Sequence, residues 1–143
     1  MKKIFTHPQP YARLLADDSI LVEVDSESTE NILVHEMGNN LYQVICVPYM
    51  TNKFSLFDVL KLETINGEHV IDTVFREEKY ANVLVRLSLD AEYVTIMSYF
   101  KVAQICTERI TNSDYALAVP VEEIANFNHW LEMNQSSIQK VSL

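Results

Sequence analysis

Phe57-Asp58-Val59-Leu60-Lys61-Leu62-Glu63-Thr64-Ile65-Asn66-Gly67-Glu68-His69-Val70-Ile71-Asp72-Thr73-Val74-Phe75 is the stretch that decides the fold class. Two β-rich runs, residues 57–64 and 69–75, flank Ile65-Asn66-Gly67-Glu68. The Asn-Gly pair supplies the consecutive positive φ angles that a tight hairpin turn demands. Upstream, residues 32–37 and 41–47 flank Gly38-Asn39-Asn40, which predicts a second hairpin with a three-residue loop. Pro48 ends its outgoing strand, because proline has no N–H to donate to a ladder. Residues 20–24 add a leading strand, separated from the hairpin by the polar break Ser26-Glu27-Ser28-Thr29-Glu30. Residues 1–16 form a lead-in, with a short helical turn over 11–16. The expectation is a small antiparallel sheet curled into a barrel-like form.

Arg76-Glu77-Glu78-Lys79 is a charged break, and the pattern changes beyond it. Residues 83–88 read as a strand, and Asp90 is placed to cap a following helix over 90–103. Tyr93, Ile96, Met97, Phe100 and Ala103 fall on one face of that helix. Residues 105–110 and 115–119 are strands about Thr111-Asn112-Ser113-Asp114. Pro120 opens a second helix over 121–133, where its missing N–H costs nothing. Val121, Ile124, Phe127 and Leu131 supply its buried stripe, and residues 138–143 a final strand. The order β-α-β-β-α-β is ferredoxin-like. The fold class is therefore α+β, with a β-rich sub-domain over 1–78 and a mixed one over 79–143, or one compact domain containing both.

Composition excludes more than it identifies. The chain has 143 residues, two glycines and a net charge of −9. Gly38 and Gly67 stand alone, so neither a phosphate-cradling loop nor a G-x-S-x-G nucleophile elbow can be built. His35-Glu36-Met37-Gly38-Asn39 begins like a zinc-protease H-E-x-x-H helix but has Asn39 where the second ligand belongs. His7 sits in a terminus expected to be mobile, and His69 starts a hairpin strand. Tyr42, Tyr49, Phe54 and Phe57 read as core. The candidate central strands of the ferredoxin-like half lack the exposed aromatics of RNA-recognition sheets, and the acidic balance repels phosphate. No catalytic residue, cofactor, metal ligand or nucleic-acid partner is expected.

Charge is unevenly spread. Asp17, Asp18, Glu23, Asp25, Glu27, Glu30 and Glu36 occupy one window without a single Lys or Arg, and carry −7 of the −9. Such a field attracts a basic protein and speeds encounter with it. Its alternative role is a solvated surface that keeps the chain soluble. A second candidate surface comprises Glu122, Glu123, Trp130 and Glu132. No run of 18 apolar residues exists and the N-terminus has no apolar signal region, which points away from the membrane and to the cytoplasm. Cys46 and Cys106, without ligand-spaced neighbours, are expected to be reduced core thiols with nothing nearby to lower their pKa.

Two stretches carry a resemblance. Glu36-Met37-Gly38-Asn39-Asn40-Leu41-Tyr42-Gln43-Val44-Ile45-Cys46-Val47-Pro48-Tyr49, followed by Leu56-Phe57-Asp58-Val59-Leu60, resembles a bacterial family of domains of unknown function, family 4265. Asp114-Tyr115-Ala116-Leu117-Ala118-Val119-Pro120 is similar to the Val-Pro strand end near that family's C-terminus. The resemblance spans roughly residues 30–135 and departs at 76–82, where the family carries a small Ser-Gly turn. It implies no catalytic residues. By type rather than motif, small acidic α+β chains are also similar to immunity proteins of contact-dependent and polymorphic toxin systems. The leading expectation is a non-enzymatic immunity or antitoxin-like inhibitor of a basic toxin enzyme such as a nuclease. A structural or regulatory domain, and a small-molecule module with its site between the sub-domains, are the alternatives. The oligomeric state is left open.

Overall fold

A computed structural model describes residues 2–141. Its first sheet contains β1 (Lys3–Phe5), β2 (Asp18–Asp25), β3 (Ser28–Gly38), β4 (Leu41–Val44), β5 (Val59–Ile65) and β6 (Glu68–Phe75). The order is β1-β3-β4-β5-β6, with β2 along the opposite edge of β3. Asn66 and Gly67 take φ of 53° and 80°, so the β5–β6 connection is the tight turn the Asn-Gly pair predicts. Asn39 and Asn40, at φ of 56° and 61°, make a second such turn. The expected three-residue loop is thus two residues long, because Gly38 joins the ladder at a register shift.

The expected polar break at 26–30 is shorter than its composition suggests. Only Ser26 and Glu27 turn; β3 starts at Ser28 and Glu30 is fully buried in it. The sheet also stops short of a barrel. Register shifts in the β2–β3, β3–β4 and β5–β6 pairs bend it around a core of Ile20, Val22, Ile32, Val34, Val44, Leu60 and Leu62. Its edges, β2 and β6, touch where His69 Nε2 lies 3.0 Å from Asp18 Oδ2, but among the described residues no ladder joins them. The sheet curls and stays open.

The second sheet and its helices follow as β7 (Tyr80–Leu87), α1 (Tyr93–Val102), β8 (Cys106–Arg109), β9 (Asp114–Pro120), α2 (Ile124–Met133) and β10 (Ile138–Lys140). The antiparallel order β10-β7-β9-β8 is the 4-1-3-2 arrangement of the ferredoxin-like fold. Ile96 and Phe100 of α1 and Phe127 and Leu131 of α2 are buried against Val85, Leu117, Val119 and Ile138. Local details differ from expectation. Asp90 lies too far ahead of the helix to cap it, and instead accepts a 2.8 Å bond from Ser88 Oγ. Pro120 ends β9 and leads into a 3-10 turn, which turns Val121 outward rather than into the stripe. The final strand ends at Lys140, and the last two residues of its expected span lie outside the described residues.

The two sheets meet through the β4–β5 connection. Val47 and Leu56 pack on Ala116 and Ala118, on the face of the second sheet that the helices leave bare. Asn82 Nδ2 donates to the carbonyls of Thr51 and Phe54 at 3.2 and 2.8 Å, fixing that loop to β7.

Candidate functional site

His7 is not mobile. Its side chain is wholly buried and bridges two buried carboxylates, one from each sheet. Nε2 lies 2.6 Å from Glu30 Oε2 on β3, and Nδ1 lies 2.8 Å from Glu108 Oε1 on β8. Glu30 also accepts the main-chain N–H groups of Tyr49, Met50 and Thr51 at 3.0, 2.9 and 2.9 Å. Glu108 accepts those of Tyr11, at 2.9 Å, and Val47. Both ring nitrogens face carboxylate oxygens, so both donate and the ring is an imidazolium. Burial works against that charge, but the Cys46 sulfur, Glu108 and Glu30 outweigh it and push the His7 pKa up to about 12. The cluster staples the N-terminal segment and the β4–β5 connection across both sheets.

A thiol, an imidazole and a carboxylate in contact invite comparison with nucleophilic catalysis. The chemistry does not follow. Burial pushes the Cys46 thiol pKa up, against the opposing pull of His7, and the sulfur is sealed from solvent. Every carboxylate oxygen in the cluster already accepts at least one bond. The expectation that neither cysteine has a pKa-lowering neighbour is corrected for Cys46: His7 is one, and burial wins. Both cysteines are free thiols; Cys46 is buried, whereas Cys106 is only half-buried. Iodoacetamide should therefore modify Cys106 in the native protein and Cys46 only after unfolding, read by intact and peptide mass. Native labelling of Cys46 would contradict the sealed cluster.

The acidic window does not form one surface. Asp17 accepts from His35 Nδ1 at 3.0 Å and from the Glu36 N–H at 2.9 Å, and Asp18 pairs with His69. These two carboxylates and Glu36 surround Tyr42, whose hydroxyl pKa is raised by burial and then by all three charges. Glu23, Asp25 and Glu27 lie at the other end of β2. Glu23 pairs with Lys2 at 3.5 Å. Asp25 accepts from the Glu27 N–H and Ser28 Oγ, both at 2.8 Å, bonds that hold its carboxyl below the usual range. An eight-residue strand separates the two ends by about 23 Å, well beyond the ~10 Å screening length at 0.1 M salt. Glu30, the seventh acid, is buried under His7 and faces no partner.

The second candidate surface is also divided. Trp130 stacks on Tyr99, ring centres 4.2 Å apart and planes within 7°, and packs against Phe100 and Phe127. It is an inter-helix packing residue. Glu123 is half-buried, Glu122 and Glu132 are exposed, and Glu132 lies on the far side of the helix from Trp130. Between the sheets a recess of about 360 Å³ remains beside Phe5, Tyr49, Leu84 and Ile110. Its one carboxylate, Asp114, is held bidentately by Arg86 at 2.7 and 3.1 Å. Among the described residues no group of three or more His, Cys, Asp or Glu is placed to hold a metal ion. No helix among them is long and apolar enough to cross a membrane.

With this geometry in view, the architecture is similar to the crystal structure of a hypothetical protein from Neisseria gonorrhoeae. The TM-score is 0.64 at 11% identity, over 86% of this chain and 89% of that one. The likeness is one of fold. No family model matches the chain, and no curated protein matches it.

Sequence reasoning missed His7, Glu30 and Glu108 as a unit, although a signal was present. Glu30 is in phase with the inward Ile32 and Val34 on β3, and Glu108 with Cys106 and Ile110. Period-2 alternation places such a carboxylate inside, where it requires a cation.

Proposed function

We propose that this chain is a non-catalytic binding protein of the immunity or antitoxin kind, occluding a basic toxin enzyme such as a nuclease. The carrying observation is the group Asp17, Asp18 and Glu36, three carboxylates drawn together around Tyr42, with His35 bonded to Asp17 and His69 to Asp18. Fixed charge of one sign steers an oppositely charged partner and raises its encounter rate. The type resemblance to immunity proteins, and a His–carboxylate cluster committed to internal bonds, support the same reading.

The test uses the product of the adjacent gene as partner. Asp17→Asn, Asp18→Asn and Glu36→Gln together keep side-chain shape and remove three charges. They should slow association by roughly tenfold or more at low salt, the lower part of the range steering supplies. The difference should shrink toward 1 M salt, where the screening length is about 3 Å. Glu132→Gln serves as the control. Association that is unchanged at low salt would make the group a solubility feature.

A further inference from the structure

We propose that the aromatic seam where the two sheets meet, formed by Tyr11, Phe57 and Tyr80, receives arginine side chains of a basic protein partner; this rests on the function proposed above. Tyr11 meets Phe57 edge-on at 6.1 Å, and Phe57, Tyr80 and Cys106 pack on one buried cluster. Phe57, Tyr80 and Cys106 rest on the buried Val47, Leu56, Ala116 and Ala118, so their bodies are fixed while part of each remains accessible. Tyr11 is 47% exposed. Aromatic groups already immobilised lose little freedom when a partner covers them.

Phe57 is held there against its backbone preference. The Asp58 N–H bonds the Ser55 carbonyl at 3.1 Å, closing a turn whose third residue is Phe57 at φ of 70°. Glycine or asparagine suits that position and a bulky aromatic is strained in it. Among the described non-glycine residues, the other two at positive φ outside the hairpin turns are Glu78 and Gln104. Gln104 has an ordinary cause: Ile105 N–H bonds the Phe100 carbonyl at 2.8 Å, the left-handed cap that ends α1.

The rim is acidic. Glu77, Glu78 and Glu122 are exposed, and the Val121 N–H bonds the Lys79 carbonyl at 3.0 Å, which brings the turn bearing Glu122 beside that segment. The charge of Glu122 is felt at Tyr80. Lys79 pairs with Glu77 at 2.8 Å; among the described residues that leaves Glu78 and Glu122 as the carboxylates of this rim outside an ion pair. Exposed ring faces beside carboxylates fit a guanidinium, which stacks on an aromatic face while its N–H groups reach oxygen acceptors. A lysine ammonium gains less from the same surface. The Asp17–Asp18–Glu36 group offers charge around a buried tyrosine, so it attracts either cation without preference.

The full-length chain, isotopically labelled, is titrated with hexa-arginine and with hexa-lysine at matched ionic strength. The expected result is that hexa-arginine binds more tightly and shifts the resonances of Tyr11, Phe57 and Tyr80. Tyr11→Ala should weaken hexa-arginine by roughly two- to fivefold and leave hexa-lysine unchanged. Its half-exposed ring makes this variant independent of the core, and Tyr11→Phe should retain the preference. Equal affinity for the two peptides, or shifts confined to Asp17, Asp18 and Glu36, would overturn the seam and leave the proposed function standing. Absence of any shift with either peptide would overturn both.

Discussion

Glu108→Ala should destabilise the protein by about 3–5 kcal/mol, the range for breaking a buried ion pair from one side. The carboxylate is bonded to His7 and accepts the Tyr11 and Val47 N–H groups, and its side chain is fully buried. Its removal leaves an imidazolium with one carboxylate instead of two, and orphans two main-chain donors in a site without solvent. Domains of this size hold about 5–15 kcal/mol in total, so the variant sits near the limit of folding. Glu108→Gln keeps the shape and one acceptor and should cost less than Ala. Urea denaturation followed by the fluorescence of Trp130 measures both. Trp130 packs between the helices, so it reports on the second sheet and its helices. A loss under 1 kcal/mol for Glu108→Ala would mean that water replaces the missing oxygen and that the cluster is not sealed.

The same cluster marks the boundary of what local pattern can tell. The Asn66-Gly67 turn was legible because a two-residue loop needs two positive φ angles and few residues supply them. The ferredoxin-like half was legible because Ile96 with Phe100, and Phe127 with Leu131, repeat at helical spacing between strands. His7 was not. Its partners are 23 and 101 positions away, and the segment carrying it pairs in parallel with β3 through three residues that show no alternation of their own. Glu30 was counted with its acidic neighbours because a charge run ordinarily marks a solvated face. Strand phase contradicted that average, and phase was the better guide. Closure of the first sheet was illegible for a similar reason. Whether β2 and β6 pair depends on the summed bend of every strand between them, which bulges alter without a distinctive residue at each site.

Stability should fall as pH rises from about 6.5 to 8.5, by about 2–3 kcal/mol in all, because His7 keeps its proton when folded and loses it when unfolded. The folded pKa is about 12, against 6.5 for an unperturbed histidine. A group whose pKa is raised by folding contributes in full below its unfolded value, and the contribution drains away as pH rises toward the folded one. Between those limits each pH unit costs about 1.4 kcal/mol for the single proton. The lower part of the range is the diagnostic one. Above about 8.5 the unfolded chain begins to ionise Cys46 and then the tyrosines, whose pKa values burial raises, and these losses add to that of His7 in the same direction. Urea midpoints at closely spaced pH values, with the nitrogen shifts of the His7 ring as a site-specific check, separate the two regimes. The ring should give imidazolium shifts throughout, while stability declines around it. Flat or rising stability between pH 6.5 and 8.5, or a ring that titrates there in the native state, would mean that the folded cluster does not keep its proton across this range.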